Sequence, residues 1–224
     1  MKRSIINKHI LDARDFVTKM KFALPPFAYW SPEEWKTQGE EYSEIRENHL
    51  GWDLTDFGSG DFDNIGLLLF TLRNGNINNP KGKSYAEKIL IVKPAQVTPY
   101  HYHQSKMEDI INRGSEGTLK VQLYCSLDPK TLDTESDVPV SVDGRNYKVK
   151  PGTVITLGSG ESITLHQKVF HQFWSDDLTL LLGEVSMVND DHKDNFFLKS
   201  QGRFPSIEED ENPLHLLVGD YENL

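Results

Sequence analysis

The sequence predicts a mainly β domain of barrel or jelly-roll type with helical segments at its N-terminus, and three observations carry that reading. From Gly58-Ser59-Gly60 onward, short apolar runs alternate with turn residues, as in strands joined by tight connections. Asn74-Gly75 and Asp143-Gly144 mark reversals of the hairpin kind. Before that point the apolar residues recur instead at three- and four-residue spacings, the period of a helix. At 224 residues the chain can bury a sizeable core, and no internal repeat or Pro- or Ser-rich linker divides it. Residues 1–224 therefore read as one domain, with a helical extension over 1–60, a β-barrel over 61–200 and a tail over 201–224 docking on the barrel.

Taken in order, residues 4 to 21 place Ile6, Ile10, Ala13, Val17 and Met20 on one helical stripe, and Pro25-Pro26 ends that segment. Ser31-Pro32-Glu33-Glu34 supplies a capping serine, a proline at the first helical position and a glutamate at the third, so Trp35 sits on a second helix. A short helix from about Glu40 to His49 is stopped by Gly51. The clearest strands are Ile65–Arg73, Tyr85–Lys93, Leu119–Cys125, Val138–Val142, Thr153–Leu157, Ser162–Leu165 and Leu178–Val188. Many antiparallel strands with short turns imply a closed barrel or jelly roll, which also disposes of exposed edges. In the tail, Glu208-Glu209-Asp210-Glu211 reads as a solvated face. Its apolar sequel, Pro213 to Val218, docks and holds a carboxylate near the barrel surface or mouth.

Composition narrows the partners. The 34 acidic residues outnumber the 24 basic ones, for a formal charge of −10, and no Lys/Arg cluster suggests a nucleic-acid surface. No apolar run approaches the ~20 residues that span a bilayer. Met1-Lys2-Arg3 leads into polar Asn7, Lys8 and His9 rather than a signal-peptide core. The expectation is a soluble cytoplasmic protein with no membrane or nucleic-acid partner. The lone Cys125 excludes an internal disulfide and reads as a packed small residue rather than a nucleophile.

The chemistry concentrates in Tyr100 to Glu108. His101 and His103 stand at i and i+2, so on a strand they project from one face. A short turn returns the chain so that Glu108 faces the same space from a neighbouring strand. An HxH on an exposed strand can be surface decoration, but the carboxylate at +5 and the turn at Asn112-Arg113-Gly114 favour a metal triad. A fourth ligand is offered by His171, set between bulky apolar residues where an unpaired imidazole would be costly to bury. By strand alternation Tyr100 and Tyr102 face away from the histidines.

His101, His103, Glu108 and Gly114 together resemble the first motif of the cupin superfamily, HxH followed by a glutamate and a glycine. The glycine usual upstream is replaced, with Gln96 where it would fall. The second motif, P-x-G-x-x-H, corresponds to His166-Gln167-Lys168-Val169-Phe170-His171, which keeps only the histidine. Three longer stretches, Met1 to Asn7, Ser105 to Gly114 and Gly202 to Glu211, are similar to the cupin-type D-lyxose isomerases. The resemblance implies a cupin jelly roll and a manganese-dependent enzyme acting on a small sugar. It further implies interconversion of D-lyxose with D-xylulose, and of D-mannose with D-fructose. A homodimer is expected, since many cupins pair through their barrels and the amphipathic N-terminal helix offers further apolar surface, although a helix packed on its own barrel would show the same stripe.

Three imidazoles and one carboxylate leave coordination positions open, as a catalytic metal requires. Donor softness alone fits Mn, Fe, Co, Ni or Zn, and hard sugar oxygens move the balance to Mn(II). As a ligand, Glu108 is a poor base, so proton exchange falls to other groups. Glu184, an acid in an apolar strand, is expected to have its pKa raised by burial and to serve as the base, or else to be a salt-bridged strand carboxylate. Glu208 and Glu211 are further acid–base candidates and Arg203 a sugar-oxygen binder, all three depending on how the tail docks. Lys106 reads as a sugar-oxygen binder or an exposed loop lysine. Two other classes compete: another cupin metalloenzyme, either a phosphosugar isomerase or a dioxygenase, and a non-catalytic sugar-binding cupin. Enediol and hydride-shift routes remain equally open to the isomerase.

Overall fold

The computed structural model describes residues 1–79, 81–188, 194–199, 202 and 205–223. Two antiparallel sheets face each other. The first has eight strands in the order β1-β2-β3-β13-β5-β11-β8-β9. These are β1 (Gly51–Thr55), β2 (Leu67–Arg73), β3 (Tyr85–Val92), β5 (Glu108–Asn112), β8 (Val138–Val142), β9 (Arg145–Val149), β11 (Ser162–Leu165) and β13 (Leu180–Met187). The second runs β10-β6-β12-β4-β14, with β7 (Thr131–Asp133) pairing to β6. Its strands are β4 (Thr98–His103), β6 (Leu119–Asp128), β10 (Val154–Leu157), β12 (Val169–Ser175) and β14 (Asn195–Phe197). This is a cupin-type jelly roll, and the sheets remain open at their edge strands rather than closing into a barrel.

Alternation along each strand sorts side chains into two cores. Leu67, Leu69, Leu90, Ile110, Leu180 and Leu182 point between the sheets and meet Val121, Leu123 and Phe173 of the opposing sheet. Leu68, Phe70, Ile89, Ile91 and Leu181 point outward and are covered by helix α1 (Arg3–Lys19) through Ile6, Ile10, Ala13 and Val17. The amphipathic stripe thus docks on the molecule's own sheet. Helix α1 stops well before Pro25-Pro26: Lys21 takes φ 58°, and Phe22 N–H donates to Val17 O at 3.1 Å across the reversal.

Helix α2 (Pro32–Trp35) carries the expected capping box, with Glu34 N–H donating to Ser31 Oγ and Ser31 N–H to the Glu34 carboxylate. The helix expected over Glu40 to His49 is a 3₁₀ turn, Glu40–Tyr42, followed by α3 (Ser43–Glu47). Strand β1 lies inside the stretch read as helical extension, because Gly51–Thr55 alternates Trp52 and Leu54 outward onto the second core. Asp143-Gly144 turns with both φ positive, at 48° and 79°, between β8 and β9. Asn74-Gly75 only opens a longer connection, since β3 does not begin until Tyr85.

The tail docks, but on the outer side. Glu208 N–H donates to Met1 O and Arg3 N–H to Glu208 O, both at 2.9 Å, tying the tail to the start of α1. Leu217 packs into the α1 core. Leu216, Val218 and Tyr221 cover Trp35, Ile45 and Leu50.

Candidate functional site

The two sheets bring His101, His103, Glu108 and His171 together between them, all buried, with one potential ligand atom from each lying within 4.8 Å of the others. His101 and His171 are direct cross-strand partners on β4 and β12. His103 lies two residues along β4. Glu108 heads β5 in the opposite sheet, so the carboxylate reaches across the sandwich rather than from a neighbouring strand. Its Oε1 is 3.2 Å from His103 Nε2 and 3.5 Å from His171 Nε2. Tyr100 and Tyr102 face away as expected: Tyr100 hydrogen-bonds Gln122, and Tyr102 meets Phe170 edge to face and stacks on Phe196.

The tautomers follow from the main chain. His101 Nδ1 lies 2.9 Å from Pro99 O and His171 Nδ1 3.0 Å from Val169 O, and a carbonyl only accepts, so both Nδ1 atoms carry the proton. The two Nε2 atoms, left with lone pairs, face each other at 3.0 Å. Burial, followed by the neighbouring His171 and His103, holds His101 well below the usual histidine range. Both ring nitrogens of His103 are buried and accept or donate no hydrogen bond among the described residues. Burial pushes the Glu108 carboxyl up, but His103 and Lys106 outweigh it and keep the group well below the usual carboxylate range. Converging lone pairs, an orphaned imidazole and an ionised carboxylate fit a divalent cation.

The cluster opens onto a cavity connected to solvent. Lys106, Glu184, Lys88 and Asn195 line it together with an apolar wall that includes Phe57, Phe173 and Phe197. Lys106 is buried rather than loop-exposed: its Nζ bridges Glu108 Oε2 at 2.6 Å and Glu184 Oε1 at 2.9 Å. Burial lowers its pKa, and the two carboxylates more than restore it. Lys88 Nζ lies 3.3 Å from the same Oε1. The pKa expected for Glu184 is corrected in sign: burial raises it, but Lys106 and Lys88 together outweigh that and hold it below the usual value.

The tail carboxylates are placed elsewhere. Glu211 accepts from Asn7 Nδ2 at 2.6 Å, and the exposed Glu208 side chain faces Lys2. Both lie beside α1, on the far side of the eight-stranded sheet, and neither lines the cavity. Their docking partner is the helix N-terminus, which the acidic run complements. Arg203 lies outside the described residues.

Two residues of the site escaped sequence reasoning. Lys88 was legible in principle, as a charge at an inward position between Ala86 and Leu90 of β3. Asp194 gave no periodic signal; its carboxylate accepts from the main-chain N–H of Ser105 at 2.7 Å and Lys106 at 3.0 Å, fixing the turn that carries Lys106. Its Oδ2 also stands 3.9 Å from His103 Nδ1. The missing glycines are replaced without losing the turns. Lys168, where the second motif has glycine, takes φ 61°, and Ala95, next to Gln96, takes φ 59°.

Comparison with known proteins supplies the family of the chain. A family model described as D-lyxose isomerase matches residues 1–221. A D-lyxose/D-mannose isomerase of Serratia proteamaculans is 43% identical over 99% of this chain and 98% of its own length. One from Escherichia coli O157:H7 is 44% identical over the same shares. Among solved structures, the L-ribose isomerase of Cellulomonas parahominis with L-ribose has a TM-score of 0.61 at 14% identity, covering 93% of this chain and 98% of that one. That of Geodermatophilus obscurus has a TM-score of 0.58 at 16% identity over the same shares. At such identities these two likenesses concern the fold. The family match and the two relatives run essentially end to end, and the chain belongs to the D-lyxose isomerase family and is an isomerase.

Proposed function

We propose that the chain is a Mn(II)-dependent aldose–ketose isomerase interconverting D-lyxose and D-xylulose, and also D-mannose and D-fructose. One observation carries the reading: a buried three-histidine, one-glutamate cluster shares a cavity with a carboxylate and a lysine that are not needed as ligands. The relatives named D-lyxose/D-mannose isomerase supply the substrate pair. Nitrogen and oxygen donors without thiolate, together with hard sugar oxygens, favour Mn(II).

When bound, the cation supplies Lewis-acid stabilisation of charge developing on the sugar's C1 and C2 oxygens. The side chains supply the proton movements. Ionised Glu184 takes the proton from C2 of the aldose and returns it to C1, while the hydroxyl proton passes from O2 to O1. Lys106 turns from its carboxylate partners to donate a hydrogen bond to the oxygen bearing the charge. Glu108 stays with the histidines. The phenylalanine wall lowers the local dielectric and strengthens these contacts.

The test is to load the protein with Mn(II), incubate it with D-lyxose and follow D-xylulose while recording dissolved oxygen. Ketose formation without oxygen uptake is expected. Turnover confined to phosphorylated sugars, or dependent on oxygen, would replace this reading by a rival cupin chemistry; binding without turnover would favour a sugar receptor. The proposal includes a cytoplasmic homodimer. Among the described residues, no helix is long and apolar enough to cross a membrane. Tyr85, Val185 and Met187 form an exposed apolar group on the outer sheet face, and sedimentation velocity reads whether two copies associate.

A further inference from the structure

We propose that Lys88 is a positioning residue that fixes one oxygen of Glu184 so that the other is presented to the substrate, an inference that rests on the isomerase reading. Lys88 and Glu184 are direct cross-strand partners on β3 and β13. Both strands are paired on each side, β3 by β2 and β13, β13 by β3 and β5. The two Cα positions are therefore held rigidly. Lys88 is 5% exposed, and Glu184 is its single ion-pair partner among the described residues. An ammonium buried that deeply is retained at a cost, which asks for a function.

The contacts made by Glu184 are one-sided. Lys106 Nζ at 2.9 Å, Lys88 Nζ at 3.3 Å and Ser186 Oγ at 3.2 Å all meet Oε1. Among the described residues, Oε2 receives none of them. The terminal torsion of a glutamate is soft and roughly two-fold, so a carboxylate held by one partner exchanges its oxygens freely. Three contacts on one oxygen oppose that rotation, and in this proposal they reserve Oε2 for the substrate. Lys88 has a specific place in this set. Lys106 also bonds Glu108 and is the lysine that turns toward a sugar oxygen, whereas among the described residues Lys88 reaches no second carboxylate. Lys88 thus holds Glu184 in register when Lys106 turns away.

The experiment compares wild type, Lys88→Met, Lys88→Arg, Glu184→Gln and the Lys88→Met/Glu184→Gln double variant, all loaded with Mn(II). Metal content and Tm are measured alongside kcat and KM on D-lyxose. In Lys88→Met, kcat should fall about 10–100-fold, with KM within about threefold and metal content unchanged. Lys88→Arg should restore part of the loss. Because Lys88 acts through Glu184, adding Lys88→Met to Glu184→Gln should cost little more. Near-normal kcat in Lys88→Met, or fully additive losses in the double variant, would overturn the proposal. The crystal structure of Lys88→Met gives a reading that needs no turnover: the Glu184 carboxylate should rotate or occupy two orientations, and an unchanged carboxylate would refute the positioning role. Failure of the wild type itself to convert D-lyxose would count against the isomerase reading and leave that structural test standing.

Discussion

His101 Nε2 and His171 Nε2 confront each other at 3.0 Å, each with its Nδ1 hydrogen bonded to the carbonyl two residues earlier in its own strand. The main chain thereby dictates which nitrogen is free, and the cross-strand register dictates that the two free nitrogens meet. Two lone pairs at that distance repel unless a cation lies among them. The pair is held by two strands of the same sheet, so it is preorganised before any cation arrives.

Removing one ligand should therefore empty the site. In His103→Ala and His171→Ala, bound divalent metal measured by mass spectrometry should fall well below one per chain, and isomerase activity should fall with it. Full metal occupancy in His103→Ala would remove that histidine from the ligand set. Stripping wild type with a chelator should also lower Tm, because a ligand that binds only the folded state stabilises it.

A second prediction separates the three acids once grouped together. Glu184→Gln should retain metal and lose about 10²–10⁴-fold in kcat. Glu208→Gln and Glu211→Gln should keep near-normal turnover, because these side chains contact α1 rather than the cavity. Near-normal turnover in Glu184→Gln would point to a hydride shift, which needs no base at carbon.

The contrast among these acids shows where sequence reasoning runs out. The clustering of the three histidines was legible because strand periodicity puts i and i+2 on one face, and because a histidine flanked by Phe170 and Gln172 in a buried strand has to find a partner. Glu184 was legible for the same reason, as a charge in an apolar run. Its pKa was not, since the lysines that reverse the effect of burial come from β3 and from the turn after β4. Strand β1 was missed because it follows directly on the short helix that Gly51 was read as stopping, and β14 because three residues offer almost no period. The apolar sequel of the tail packs against α1, α2 and α3, and periodicity cannot say which side of a sheet a tail reaches.

A third prediction tests the clasp between the two ends of the chain. Arg3 is 2% exposed; it donates twice to Glu209, at 2.8 and 2.6 Å, and twice to Asp220, at 3.0 and 2.9 Å. Its pKa is raised, chiefly by the hydrogen bond to Glu209. Truncation in Arg3→Ala leaves Asp220 without its buried partner and should cost about 2–3 kcal/mol. For a chain of this size that lowers Tm by roughly 4–10 °C. Because the clasp lies beside α1, kcat of the folded variant should not change; a loss of kcat at constant Tm would contradict that separation.

The last prediction concerns acid stability and turns on His9. This α1 residue is buried against Phe62, with ring centroids 4.6 Å apart, and its Nδ1 is 3.3 Å from Lys93 Nζ. Asp63 holds Lys93 from the other side at 2.8 Å. Burial, then the Lys93 charge, lowers the His9 pKa to about 4, with Asp63 and Asp12 opposing the shift and Lys8 adding to it. Above the unfolded value of about 6.5 the imidazole is neutral in both states and costs nothing. As pH falls from there toward 4, the unfolded chain takes a proton that the folded one refuses, and stability drops across that window. Discounted for screening, the loss should be about 1–2 kcal/mol. Tm measured from pH 7.5 to 4 for wild type and His9→Gln reads the effect as a difference, cancelling the carboxylates common to both. Wild type should lose several degrees more than the variant between pH 6.5 and 4. Parallel Tm curves would show that His9 titrates alike in the two states and that helix α1 carries no acid-sensitive contact at this position.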